Sequence, residues 1–315
     1  MTMTKTKSSP IDPANYIIPM NINGLNGRML QLPSKTNKNR EILVVYGLHS
    51  SLERMFGLAE ILSNYGDVTI PDLPGFGGMD NFYKIHEVPS LDNMADYLAT
   101  VIKMRYRRKR VTIIGMSYGF LVATRMLQKY PELSKKVNLL VSLVGYAHHE
   151  DFRMEPFYMN SLKFVCWLGS YRIPGWIIGN VFFRDLPIRL CYTLVAKTHR
   201  KMKDADSEER KKRIDFEIKL WKMNHARTKA RVISEMLRVN LCNKPVGLDV
   251  DHVAIANDHF FDNQVVEQHL SVIYKRVNVI YAEMEGHAPT VIADESAAAP
   301  FMPDKLRRLL SAKPK

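Results

Sequence analysis

Short apolar runs alternate with helical periodicity along most of the chain. EILVVYG (41–47), VTIIG (111–115) and VNLLVSLVGY (137–146) are nearly continuous apolar stretches of strand length. That is the pattern of strands covered on both faces. Residues 16–23 and 28–32 flank an Asn-Gly and predict a hairpin ahead of them, and 67–70 predicts a strand that runs into PDLPGFGG. Between these lie helical patterns. One covers 53–64; another is capped by Ser90 and sets Leu91, Met94, Leu98 and Ile102 on one face. The helix that follows GMSYGF must stop near Pro131.

After Tyr146 the rhythm changes. Residues 147–245 hold only helical pattern, rich in aromatics, Met, Lys and Arg. Strand pattern returns at 246–256 and 276–282, and a helix over 303–311 closes the chain. The alternation predicts an α/β fold with a mostly parallel, eight-stranded sheet flanked by helices. Its core would be 1–146 and 246–315, with 147–245 a helical cap inserted after the sixth strand.

Composition narrows the class. Hydrophobic residues make up 46% and charged residues 24%, enough for a proper core without staples. The three cysteines, Cys166, Cys191 and Cys242, show no C-x-x-C spacing, which predicts a reducing, cytoplasmic setting and no metal site. MTMTKTKSSPIDPANY lacks the apolar core of a secretory signal. The least polar stretch, 173–183, has 11 residues, too few to span a bilayer, which takes about 20.

The formal charge of +13 is concentrated in KMRYRRKR (103–110) and in 197–213. Such charge either decorates solvated helix faces or holds the protein peripherally on an anionic membrane. No nucleic-acid motif accompanies it, so no nucleic-acid partner is expected.

The strongest chemical signal is Gly115-Met116-Ser117-Tyr118-Gly119, set between a buried strand and a helix. A serine on so sharp a turn needs glycines two positions before and after it, because larger side chains would collide. The turn also puts the hydroxyl at the positive end of the next helix. A hydroxyl becomes a nucleophile only with a base, and the base needs an orienting acid.

Of the ten histidines, His287 in AEMEGHAP stands just after the last strand, at the expected sheet edge. HVAIANDHFFDNQ offers two acids: Asp258 directly after the apolar run, and Asp262 at the position of a helix cap. Glu150 and Asp151, beyond the sixth strand, stay as alternatives to the favoured Asp258. The oxyanion donors expected are the backbone N–H of Tyr118 and that of Leu48, with His49 as the neighbouring alternative to Leu48.

These residues resemble the α/β-hydrolase superfamily, in its cap-bearing branch. The resemblance covers the chain from about Tyr16 to the C-terminus, apart from the insertion. It rests on GLHSS after strand three, PDLPGFG (71–77) after strand four, GMSYGF at the elbow, AND after strand seven and EGH after strand eight. From Ser117 to Asp258 is 141 residues and from Asp258 to His287 is 29, an order and spacing that agree with it.

The resemblance implies hydrolysis through an acyl-enzyme with no metal and no organic cofactor. Serine rather than aspartate at the elbow points away from the epoxide hydrolases and haloalkane dehalogenases. Many relatives carry His-Gly where this chain has Tyr46-Gly47, which changes the hydrogen bonding expected there.

The insertion carries Phe157, Tyr158, Phe164, Trp167, Tyr171, Trp176, Phe182 and Phe183 within 32 residues, 152–183. Such aromatics can line an apolar pocket for a hydrophobic ester substrate, or form the insertion's own core.

Overall fold

The computed structural model describes residues 12–194, 206–283 and 298–313. Eight strands form one sheet in the order β1-β2-β4-β3-β5-β6-β7-β8. They are β1 (Ile17–Ile22), β2 (Leu25–Leu32), β3 (Glu41–Val45), β4 (Asp67–Pro71), β5 (Val111–Met116), β6 (Val137–Leu143), β7 (Val246–Ile255) and β8 (Tyr274–Ala282). β1 and β2 pair antiparallel, as do β2 and β4, and β3 through β8 are parallel throughout. The sheet class is therefore the one expected.

The opening hairpin closes one Asn-Gly earlier than expected. Asn23 and Gly24 take φ of 52° and 81°, and Ile22 pairs with Leu25. Positive φ at both central residues is the two-residue turn whose twist matches the strands. Asn26-Gly27 instead lies inside β2, where a Cβ on Gly27 would stand 2.6 Å from Met79 Cγ. β6 stops at Leu143, short of Tyr146, because Val144 turns left-handed with φ 46°.

The first two helices follow their caps. Ser51 Oγ accepts from Arg54 N–H at the head of α1 (Leu52–Leu62), and Ser90 Oγ accepts from Asn93 N–H at the head of α2 (Leu91–Arg105). Leu91, Met94, Leu98 and Ile102 are buried, as their spacing requires. α3 (Tyr118–Lys129) ends before Pro131.

Between β6 and β7 the described residues form α4 (Pro156–Gly169), α5 (Arg172–Ile177), a π-turn (Ile178–Phe182), α6 (Asp185–Leu194), α7 (Ser207–Met223) and α8 (Ala226–Met236). The two ends of this segment meet in an antiparallel bridge between His148 and Asn240. Its aromatics are not its core: all of the eight except Phe183 are exposed, and Phe183 packs edge-on against Trp221 of α7. Among the described residues, α9 (Asn263–Ile273) precedes β8, and a helix at Asp304–Ser311 follows it. Among the described residues no helix is long and apolar enough to cross a membrane.

Parallel strands deliver all their carboxyl ends to one edge. β3 leads outward to β4 on one side, while β5 leads to β6 on the other, so the loops after β3 and β5 diverge and leave a crevice between them. Open α/β sheets bind ligands at such a switch point.

Candidate active site

Ser117 sits at that crevice, between the end of β5 and the start of α3, with φ 48° and ψ −118°. A non-glycine residue at positive φ is strained and persists only where its surroundings impose it. Here the imposition is steric. A Cβ on Gly115 would lie 2.5 Å from Phe120 Cα, and one on Gly119 would lie 2.0 Å from the carbonyl oxygen of Val45. The two glycines let α3 start hard against β3, and Ser117 N–H donates to Leu143 O at 2.9 Å to fix the turn from the other side.

Tyr118, the next residue, opens α3, so its N–H is one of the first-turn donors that a helix leaves without an internal acceptor. Leu48 lies in the loop after β3, half-buried. Gly47 before it lies so close to the serine that an added Cβ would stand 3.2 Å from Ser117 Cβ and 3.8 Å from Ser117 Oγ. The two segments expected to supply oxyanion donors thus border the same hydroxyl.

Asp258 follows β7 by three residues and is buried. Its Oδ1 accepts the N–H of Phe260 at 2.7 Å and of Phe261 at 3.3 Å, a turn that holds the carboxylate in place. Asp262 instead caps α9, accepting from Gln264 and Val265 N–H.

Asp151 is fully buried and already committed. Its Oδ2 accepts from Ala147 and His148 N–H, and its Oδ1 binds His269 Nδ1 at 2.5 Å. Glu150 is exposed. Of the acids considered, Asp258 alone combines burial with a position at the carboxyl edge of the sheet directly after a strand. His287 lies outside the described residues.

Tyr46, where the resemblance leads one to expect histidine, finds its partners in the next loop. Its hydroxyl donates to Asp72 Oδ1 at 2.8 Å and accepts Leu73 N–H at 3.0 Å. Arg28 Nε donates to Asp72 Oδ2 at 3.0 Å, and Tyr97 Oη donates to the Asp72 carbonyl at 2.7 Å. A Cβ on Gly77 would strike Asp72 Oδ1 at 1.9 Å, so PDLPGFG needs its glycine there. Tyr46 thereby ties the loop after β3 to the loop after β4.

A second set of residues gathers around His49, and its other members had no signal in the sequence. Glu217 of α7 is fully buried, and Arg54 Nη2 of α1 donates to its Oε1 at 2.9 Å. His49 Nε2 is 2.9 Å from Glu217 Oε2, and His49 Nδ1 is 3.0 Å from Lys229 Nζ. Arg54 Nη1 donates to the His49 carbonyl at 2.9 Å. His49 itself is left-handed, φ 54°.

Burial and the neighbouring Lys229 ammonium lower the His49 pKa to about 3, which keeps the ring neutral. A neutral ring donates from Nε2 to the carboxylate and accepts at Nδ1 from the lysine, which satisfies both partners. α7 and α8 thus hold the loop that contains Leu48.

One cluster among the described residues could hold a metal ion. His148, Glu150 and His269 each offer a ligand atom, all within 4.8 Å of one another. The Asp151 carboxylate on His269 Nδ1 leaves Nε2 as the donor, the arrangement that orients metal-ligating imidazoles. A two-histidine, one-carboxylate set suits a divalent transition metal. Sequence spacing did not show it, because β6 and α9 bring its halves together.

No family model and no curated protein matches this chain. Solved structures do. A Pseudomonas aeruginosa protein provisionally assigned as an epoxide hydrolase superposes with a TM-score of 0.66 at 15% identity, over 93% of this chain and 97% of that one. A thermophilic esterase from Thermogutta terrifontis gives 0.57 at 17% identity, over 94% and 98%. A membrane phospholipase A gives 0.59 at 16% identity, over 92% and 86%.

Proposed function

We propose that this chain, built on the α/β-hydrolase fold, is a serine hydrolase that cleaves a carboxylic ester of a hydrophobic acyl group through an acyl-enzyme. The observation that carries the reading is Ser117, a strained serine at the switch point of the sheet, hemmed in by Gly47, Gly115 and Gly119.

In this reading His287 removes the Ser117 proton as the hydroxyl attacks the ester carbonyl, then returns it to the departing alcohol. Asp258 orients the imidazole and stabilises its charged form. The backbone N–H groups of Tyr118 and Leu48 stabilise the oxyanion, helped by the positive end of α3. Water, activated by the same imidazole, then releases the acid. Serine at the elbow separates this chemistry from that of an epoxide hydrolase, although the fold is shared. The helical segment between β6 and β7 serves as the cap, and the thiols of Cys166, Cys191 and Cys242, which form no disulfide, accord with a cytoplasmic setting.

A fluorophosphonate probe tests the core claim. Wild type should label and turn over, while Ser117→Ala and His287→Ala should lose nearly all p-nitrophenyl ester hydrolysis. Absence of labelling in folded wild type would leave a binding protein of this fold. Asp258→Asn should cost far more kcat than Asp262→Asn, and the reverse order would move the acid. A series of ester chain lengths measures the depth of the acyl pocket.

A further inference from the structure

Residues 156–194 turn most of their apolar bulk outward, while Phe183, Ile188 and Tyr192 pack inward against Ile214, Ile218 and Trp221. Where α4, α5 and the π-turn meet one another and α8, glycines allow close approach. A Cβ on Gly169 would stand 3.0 Å from Ile178 Cδ1 and 3.1 Å from Ala230 Cβ, one on Gly175 would stand 2.6 Å from the Gly169 carbonyl oxygen and 2.9 Å from Arg227 Cβ, and one on Gly179 would stand 3.3 Å from Ala226 Cβ. The bulk points outward. Among the described residues, 15 of the 21 exposed large hydrophobic side chains fall between 157 and 194, with Phe157 at 76% and Leu186 at 77% exposure.

A helix in water shows the opposite order, large apolar side chains inward and polar ones outward. Small residues within and large apolar ones without is how helices pack when their surroundings are themselves apolar. An apolar face this extensive marks an interaction surface rather than scattered surface residues.

Two further features select the occupant. Between 156 and 194 stand four basic residues, Lys163, Arg172, Arg184 and Arg189, against one acidic residue, Asp185. Asp185 is bound by Lys222 at 3.0 Å and Arg189 by Asp215 at 2.5 Å, so the positive charge of the face comes from Lys163, Arg172 and Arg184. A second copy docked face to face would set these like charges against each other. An anionic lipid surface would attract them. Trp167, Trp176, Tyr158 and Tyr171 are all exposed on this segment, the side chains that favour the boundary between headgroup and acyl chain. No described helix can cross a bilayer, so the contact lies in the plane of the interface.

We propose that the outer face of residues 156–194 docks onto the surface of an anionic phospholipid bilayer, with its aromatics at the headgroup–acyl boundary. The inference stands apart from the chemistry assigned to Ser117.

The full chain is incubated with vesicles of phosphatidylcholine alone or mixed with phosphatidylglycerol, and bound protein is measured by sedimentation. Binding should require phosphatidylglycerol, weaken as salt rises, and persist in Ser117→Ala. Brominated acyl chains should quench Trp167 and Trp176. A variant with Phe157→Ser, Trp167→Ser and Trp176→Ser should keep the wild-type melting temperature and lose vesicle affinity by roughly tenfold or more.

The proposal is overturned if wild type ignores both vesicle types, or if the triple variant binds as wild type does. It is also overturned if lipid-free protein forms a dimer that the triple variant abolishes, since the face then belongs to a second copy.

Discussion

Acid stability offers a test of the buried sheet edge that holds Asp258. His252 in β7 is 2% exposed, and its Nδ1 lies 2.8 Å from Ser142 Oγ in β6. Burial lowers its pKa from 6.5 to about 4, with the Asp258 charge acting in the opposite direction. In the folded protein the ring therefore stays neutral where the unfolded chain takes up a proton. The unfolded state binds more protons between those values, so stability is intact above pH 6.5 and is lost as pH falls towards 4. Each pH unit costs up to about 1.4 kcal/mol, so the whole window amounts to roughly 3 kcal/mol at most.

His252→Asn keeps a hydrogen-bonding partner for Ser142 and removes the titration. Urea unfolding of both proteins at several values from pH 7.5 to 4.5 isolates the effect. The variant is less stable at neutral pH, and its deficit should shrink by about 1.4 kcal/mol per pH unit below 6.5. His49 titrates in the same direction but is common to both proteins, so it cancels. A deficit that stays constant with pH would refute the reasoning. Asp258→Asn, by removing the opposing charge, should lower the His252 pKa further, which imidazole proton NMR can follow.

Other outcomes follow from packing and hydrogen bonding. Gly119→Ala forces a methyl into the Val45 and Tyr46 carbonyls, 2.0 and 2.6 Å away, and should cost about 3 kcal/mol or more in urea unfolding. A loss under about 0.5 kcal/mol would mean the contact is not as close as described. Tyr46→Phe strips Asp72 and the Leu73 N–H of a buried partner and should cost about 1–3 kcal/mol. Glu217→Ala leaves Arg54 buried without its carboxylate and should destabilise by about 3–5 kcal/mol. It should also impair turnover through the displaced Leu48 loop, and an unchanged kcat would separate α7 from the site.

What the sequence determined by itself was local. Strands buried on both faces read as continuous apolar runs, so β3, β5 and β6 could be placed from composition alone. The Ser90 cap and the stripe of Leu91, Met94, Leu98 and Ile102 fixed α2. Ser117 was legible because its requirements, two glycines and a strand-turn-helix, lie within a few residues.

Tertiary structure decided whatever depends on partners far along the chain. Two Asn-Gly pairs compete for one hairpin, and the placement of Gly27 beneath Met79 leaves Asn23-Gly24 as the turn. Glu217 sits in SEERKKRIDFEIKLWKM, which reads as a solvated helix, until the fold buries it between Arg54 and His49. The aromatics of 157–183 read as a pocket lining or a core, yet only packing shows that all of them but Phe183 face out. A pattern of side chains records what each residue favours, but which face an element turns inward is settled by the neighbours the chain brings to it.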